Sequence, residues 1–222
     1  MQSARTPVKK FAHLGAHTLL LMLAIEFFAA PIVLSDGSPV WLILLHAGYQ
    51  IIIFMFLIGL AAHPVLVGSC ATLVAIGSAV RLFFDSGDQF AGSAANATGA
   101  AAVLIVIVMA MRRFFTLTKA TPSTISAALA LYLLSGLFWS LVYAGLEASL
   151  PGSFVNTAGP LRADDLHYFS YVTMTTLGYG DIVPTHPIAR SCALTQALLG
   201  QVFIAVVIGR LVALHVAHRT DK

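Results

Sequence analysis

The sequence predicts an all-α integral membrane protein with six transmembrane helices, and three observations lead to this fold class. Hydrophobic residues make up 59% of the 222 residues and charged residues only 9%, and the mean hydropathy is +0.90. Soluble domains carry about 25% charged residues, so a cytosolic enzyme or a nucleic-acid-binding module is disfavoured. The third observation is a series of apolar runs, each long enough for the roughly 20 residues of a membrane helix.

Segments that break helices or favour turns separate these apolar runs. The predicted spans are residues 12–34, 40–60, 65–84, 99–118, 124–146 and 189–213, and the turn-forming segments include 35–39, 63–64, 85–98 and 121–123. The segment between the fifth and sixth spans is different, because it starts polar and then becomes apolar again. Its length, from Glu147 to Arg190, is too great for a simple loop.

Basic residues orient these spans. They precede the first span, end the fourth and end the sixth: Arg5, Lys9 and Lys10; Arg112, Arg113 and Lys119; Arg210, Arg219 and Lys222. Since basic residues favour the cytoplasmic side, both termini are predicted to be cytoplasmic and the segment 147–189 to lie outside. The same placement suits anchoring at a lipid surface and predicts no nucleic-acid partner.

Residues 1–30 allow one alternative, a cleaved signal peptide. Lys9-Lys10, the apolar run 19–23 and Ala29-Ala30 resemble its three regions. We favour a retained span, because the apolar stretch continues through residues 31–34. Removal would leave the orientation of the other five helices unchanged.

The long outer segment contains Thr173-Met174-Thr175-Thr176-Leu177-Gly178-Tyr179-Gly180-Asp181, which resembles the signature sequence of potassium channels. The preceding residues 165–172 resemble that family's pore helix, and the last span resembles its inner helix. The resemblance covers about residues 124–215 and implies a re-entrant pore helix and a selectivity-filter loop between helices five and six. Asp164 or Asp165 is a candidate N-cap of this short helix, whose negative C-terminal end would favour a cation.

The spacing of the glycines has a physical reason. A potassium ion that enters a narrow pore needs oxygen atoms in place of its water shell, and rings of backbone carbonyls provide them. Successive carbonyls face one axis only if alternate residues adopt unusual backbone conformations, which Gly178 and Gly180 tolerate. The resemblance implies that the backbones of Thr176, Leu177, Gly178 and Tyr179 bind K⁺, together with the Thr176 hydroxyl. Tyr179 would point away from the ions and brace the filter.

Further roles follow from the same resemblance. Filter support is assigned to Thr175, Asp181 and Tyr168. Tyr168 occupies the position where many relatives have a tryptophan, and it is expected to bond Asp181. Val172 occupies the position where some relatives have a glutamate. Gly200 matches a glycine at which the inner helix bends, although close helix packing is an alternative reason for a glycine there. The resemblance also implies that the inner cavity is lined by Gln201, Ile204, Ile208 and Val212. The cavity would narrow near Ile208 or Val212 to an apolar constriction, which can gate by dewetting.

The fourth span lacks the basic residue at every third position that voltage sensing requires. Stepping back by threes from Arg112 gives Met109, Val106 and Val103, so weak voltage dependence at most is expected.

Elsewhere, polar residues within the membrane are functional candidates by default. Glu26 and His46 are such residues, for which helix-to-helix hydrogen bonding is favoured over a proton-sensitive pair. His167 and His186 flank the filter and suggest modulation by external pH.

Together these observations predict a four-helix bundle over residues 1–120 and a pore domain over residues 121–222. The expected function is passive, selective K⁺ conduction by a homotetramer in the plasma membrane, because one chain has one filter segment and an ion-binding ring needs four. The chain is not expected to be an enzyme or to use a cofactor beyond the K⁺ ions. Alternatives are a poorly selective cation channel and a non-conducting partner subunit.

Overall fold

The computed structural model describes residues 17, 18, 20–25, 27, 28, 68, 72, 73, 75–77, 89–162 and 165–220. Most of the first three predicted spans lies outside the described residues, and so do Glu26, His46 and Asp164. The described residues before Gln89 are helical.

The part of the chain from Gln89 onward forms four helices and two short strands. In chain order these are α1 Gln89–Thr116, α2 Pro122–Ser149, β1 Phe154–Asn156, α3 Asp165–Met174, β2 Ile182–Pro184 and α4 Pro187–Thr220. Among the described residues, α1, α2 and α4 are long and apolar enough to cross a membrane. They coincide with the predicted fourth, fifth and sixth spans, and the predicted domain boundary near residue 120 falls between α1 and α2.

The first turns of α1 correct the sequence prediction of a loop over residues 85–98, because residues 89–98 are helical. Small residues here pack closely against α2. A Cβ atom added to Gly92 would lie 3.8 Å from the Cβ of Ala148, and the hydroxyl oxygens of Ser93 and Ser149 are 2.6 Å apart. The glycine and serine residues that suggested a turn therefore allow two membrane helices to approach each other.

The connection between α1 and α2 is short, and its sequence starts the second helix. Thr121 is the N-cap of α2, and its side chain and that of Thr124 each accept a hydrogen bond from the other residue's backbone N–H. Pro122 occupies the first helical position, where its missing N–H has no helical partner to lose. These residues fix the start of α2.

A two-stranded antiparallel sheet corrects the expectation of an all-α fold. Phe154 pairs with Pro184 and Asn156 with Ile182, in a register that buries Phe154 and Ile182 and exposes Val155. Strands of three residues are too short to produce a recognisable hydrophobic alternation. The sheet ties the segment after α2 to the residues that follow the glycine-rich motif.

Helical residues near the start of the chain pack against α1, α2 and α3. Leu23 lies in one buried cluster with Val103 and Leu134. The rings of Phe27 and Tyr171 are in edge-to-face contact, with their centroids 4.7 Å apart.

Candidate functional site

The glycine-rich motif has an alternating backbone. Thr176, Gly178 and Gly180 have φ angles of 58°, 55° and 80°, so every second residue lies in the left-handed region. Among the described residues, Thr176 is the only non-glycine residue with a positive φ. Such a conformation costs a residue with a side chain about 1–2 kcal/mol, which indicates that the surrounding structure imposes it.

Hydrogen bonds to the end of α3 orient the peptide groups of the motif. The N–H groups of Leu177 and Gly178 donate to the Val172 carbonyl at 3.0 and 3.4 Å, and the Thr176 N–H donates to Thr173 at 3.0 Å. A trans peptide directs its N–H and the preceding C=O in opposite directions. The carbonyls of Thr175, Thr176 and Leu177 therefore point away from α3, toward the open side of the segment.

This open side is not covered by the rest of the described chain. All residues from Thr175 to Gly180 are exposed, including 55% of Leu177 and 67% of Tyr179. Among the described residues, no group of three His, Cys, Asp or Glu side chains could hold a metal ion. The backbone carbonyls on this side are therefore not covered by the described residues.

Tyr168 on α3 contacts both ends of the Tyr179–Asp181 segment. Its ring stacks on the ring of Tyr179, with centroids 6.4 Å apart and planes inclined by 4°. Burial, the hydrogen bond to the Asp181 carboxylate and the charge of that carboxylate raise the pKa of Tyr168 to about 12. The Tyr168 hydroxyl is therefore protonated at neutral pH and available as a donor to Asp181.

Asp181 joins the motif to the outer segment. Its carboxylate accepts a hydrogen bond from the Ile182 N–H at 3.0 Å. Its backbone carbonyl accepts two more, from the N–H of Thr157 at 2.8 Å and from the Thr157 hydroxyl at 3.1 Å. The motif is therefore held by α3 at its start and by β1, β2 and Thr157 at its end.

Asp165 is the first residue of α3 and organises the loop before it. Its carboxylate accepts hydrogen bonds from the Asn156 side-chain amide at 2.8 Å and from the Arg162 N–H at 2.9 Å. A carboxylate at a helix N-terminus also interacts favourably with the helix dipole. Asp165 thus connects the start of α3 to β1, while the other candidate cap, Asp164, lies outside the described residues.

The two histidines near the motif have different surroundings. His167 is buried on α3, and its ring centroid lies 5.0 Å from that of Tyr171. His186 is half-buried before α4, where its Nδ1 atom accepts a hydrogen bond from the Ile188 N–H at 3.3 Å. The predicted response to external pH stays a prediction.

Gly200 packs against the end of α3. A Cβ atom at this position would lie 2.7 Å from the Met174 carbonyl oxygen and 3.0 Å from its Cγ atom. Close packing therefore explains this glycine, and its role as a hinge stays a prediction. The predicted cavity and gate residues Gln201, Ile204, Ile208 and Val212 are all exposed along α4.

The opposite face of α4 contacts α1 and α2. Val207 is buried in a cluster with Phe114 and Leu131. One turn further along, Arg210 donates from Nη2 to the carbonyls of Phe115 at 2.5 Å and Leu117 at 2.9 Å. A cation near carbonyls at a helix C-terminus is favourable, so Arg210 joins the C-terminal end of α1 to α4.

Sequence reasoning missed the most buried polar residue of α4. Gln196 is fully buried, with Tyr143 of α2 and Ser170 of α3 as its hydrogen-bond partners. The signal was available, because a polar side chain inside a membrane span is a functional candidate by default. That rule was applied to Glu26 and His46 but not to Gln196.

Residues 127–216 match the sequence model of a family described as "Ion channel". The chain is 39% identical over 67 residues to the "Two pore potassium channel c" of Oryza sativa subsp. japonica, a match that covers 30% of this chain and 15% of that protein. It is 33% identical over 94 residues to the "Inward rectifier potassium channel Kirbac3.1" of Paramagnetospirillum magnetotacticum, covering 40% of this chain and 29% of that protein. No solved structure matches the chain.

The matched region contains α3, the glycine-rich motif and most of α2 and α4. The chain spans less than a third of the length of these two relatives. The family and the relatives indicate a channel and not an enzyme. The chain is therefore a membrane protein whose residues 127–216 match an ion-channel family model and are similar to parts of potassium channels.

Proposed function

We propose that this protein is a potassium-selective channel that conducts K⁺ passively as a homotetramer. The observation that carries the proposal is the backbone of residues 176–180, in which every second residue has a positive φ angle. Carbonyls of Thr176 and Leu177 directed away from α3 have the orientation that a dehydrated K⁺ ion requires. Thr176, Leu177, Gly178 and Tyr179 are the proposed K⁺ ligands, and Gly180 completes the filter.

The proposed tetramer is supported by the exposed surface of the pore-domain helices. The share of residues buried within the chain, taken over the most apolar stretch of each helix, is 11% for α4, 39% for α1 and 44% for α2. Exposed apolar residues on α4 include Leu198, Val202, Ile208 and Val212. One chain also contributes one filter segment to a ring that needs four, and closed fourfold symmetry supplies the other three.

The proposed channel has little voltage dependence. Arg112 and Arg113 are exposed at the C-terminal end of α1, and the residues that precede them within this helix are uncharged. Moving a charge through the membrane field provides about 2.3 kcal/mol per 100 mV, and α1 has no charge in its membrane interior to move. The proposed location is the plasma membrane with both termini in the cytoplasm.

The test is the reversal potential of purified protein in a planar bilayer with opposed K⁺ and Na⁺ gradients. Reversal near the potassium equilibrium potential, with nearly ohmic current across voltages, is the expected result. Reversal near zero would indicate the poorly selective cation channel instead. Steep voltage dependence would contradict the interpretation of α1, and detergent-solubilised protein of dimeric size would contradict the tetramer.

A matched pair of glycine variants tests the filter itself. Gly178 has a φ of +55°, whereas Gly159 in the outer segment is not in the left-handed region and has open space around it. Gly178→Ala should therefore reduce the K⁺ current and the preference for K⁺ over Na⁺, while Gly159→Ala should leave both unchanged. Equal behaviour of the two variants would contradict the proposed filter.

A further inference from the structure

A chain of hydrogen bonds links α2, α3 and α4 behind the filter. The Tyr143 hydroxyl of α2 donates to Oε1 of Gln196 on α4 at 2.5 Å. Nε2 of Gln196 donates to the Ser170 carbonyl at 2.9 Å and to the Ser170 hydroxyl at 2.8 Å. That hydroxyl donates in turn to the Gly136 carbonyl of α2 at 2.7 Å, so Gln196 and Ser170 connect three helices.

The three side chains of this network are fully buried. Tyr143, Ser170 and Gln196 each have 0% of their surface exposed. Both hydrogens of the Gln196 amide and its oxygen have partners, so the side chain has one defined orientation. Removing any one partner would leave a buried polar group without a hydrogen bond, which costs free energy in an apolar interior.

Gln196 and Gly200 are two of the residues through which α4 contacts α3. They are four residues apart on α4, and they touch Ser170 and Met174, which are four residues apart on α3. Residues with this spacing lie on one helix face. The contact of Gln196 with Ser170 fixes α3 through hydrogen bonds, and the contact of Gly200 with Met174 determines how closely the C-terminal end of α3 approaches α4.

We propose that Gln196 is a positioning residue for the filter, an inference that rests on the proposed channel function. Its amide holds Ser170, and thereby the rotation and height of α3. The filter N–H groups bond the carbonyls of Val172 and Thr173 at the end of that helix. A shift of α3 therefore moves the carbonyls of Thr176 and Leu177, on which the choice of K⁺ over Na⁺ depends.

The test compares Gln196→Leu and Ser170→Ala with the wild type in planar bilayers, with the K⁺/Na⁺ permeability ratio taken from the reversal potential. Gln196→Leu should lower this ratio by about tenfold, the order of effect expected when buried polar groups lose their partners. Ser170→Ala keeps the Ser170 carbonyl as an acceptor, so a smaller decrease is expected. Ser170→Ala also provides a second variant if Gln196→Leu does not assemble.

Two further variants distinguish positioning from general stability. Tyr143→Phe leaves both bonds from Gln196 to Ser170 in place, so it should lower the melting temperature of the tetramer more than it changes the permeability ratio. Thr195→Val is the matched control, because within the described part of the chain the exposed Thr195 hydroxyl bonds only the Ser191 carbonyl of its own helix, at 2.8 Å. A purely structural role would make the permeability ratio follow the melting temperature in every variant.

The outcomes separate this inference from the function on which it rests. A wild type without K⁺ selectivity would overturn both. A selective wild type whose Gln196→Leu and Ser170→Ala variants keep the full permeability ratio would overturn the positioning role alone. A reduced ratio in assembled tetramers, with Thr195→Val unchanged, is the result that supports it.

Discussion

Replacing Gly200 with alanine should force α4 away from the end of α3. The added Cβ atom would lie 2.7 Å from the Met174 carbonyl oxygen, about 0.7 Å closer than the 3.4 Å at which ordinary contact begins. Overpacking of this kind costs about 1–3 kcal/mol. Alanine recovers about 1 kcal/mol through its higher helix propensity, so the net destabilisation should be about 0–2 kcal/mol.

Gly209→Ala is the matched control on the same helix. Nothing lies within 4 Å of a Cβ atom at this position, so only the gain of about 1 kcal/mol in helix propensity applies. The two variants should therefore differ by about 1–3 kcal/mol. Thermal unfolding of the detergent-solubilised protein, followed by loss of the folded protein's peak in size-exclusion chromatography, measures this difference.

The effect on conduction separates packing from hinge bending at Gly200. Met174 is the last residue of α3, so a displaced α3 should lower the K⁺/Na⁺ permeability ratio measured from the reversal potential. A hinge role alone would reduce the frequency of opening and leave the selectivity of the open channel unchanged. If Gly200→Ala matches Gly209→Ala in both stability and permeability ratio, the reasoning from the Met174 contact is refuted.

Three other predictions concern the two ends of the pore domain. Tyr168→Phe removes the donor to Asp181 and should speed the loss of current during sustained opening; unchanged kinetics in bilayer recordings would contradict the brace. The pKa of Tyr168 is raised from 10.0 to about 12, so its contribution to stability is complete below pH 10 and is lost as the pH rises through about 12. In ultraviolet titration of the wild type against Tyr168→Phe, the difference signal should show this late ionisation, and ionisation near pH 10 would contradict it. Arg210→Gln should increase amide hydrogen exchange at residues 115–120 by at least about tenfold, since a hydrogen bond from a charged group contributes about 1.5–3 kcal/mol. Arg113→Gln, which changes an exposed residue near the same end of α1, is the control, and equal exchange in both variants would contradict the role of Arg210.

The positions of the described apolar helices and the positive φ angles of Gly178 and Gly180 could be predicted from the sequence, because each depends on a local pattern. A membrane helix follows from a long apolar run, and Gly178 and Gly180 mark alternate positions where the backbone needs a positive φ. Thr176 adopts the same conformation without being glycine. Its φ is imposed by hydrogen bonds to α3, which composition does not reveal.

The features that the sequence did not predict depend on contacts between distant segments. Gly92 and Ser93 lie in the segment for which the sequence predicts a turn, because small residues serve both turns and close helix packing. Only their contact with α2 decides between the two. The strands at Phe154 and Ile182 stabilise each other across the whole of α3. Gln196 is one polar residue in an apolar helix, and its importance depends on the position of Ser170.

The sheet divides the outer segment into parts that differ in their tolerance of length changes. The register of β1 and β2 buries Phe154 and Ile182 and exposes their neighbours. One inserted residue between Gly180 and Ile182 would shift the register of β2 and turn its side chains to the opposite faces. It would also displace the glycine-rich motif that precedes β2. The loop at residues 158–160 is exposed and lies outside both strands, so it offers a place for a fluorescent label or an affinity tag.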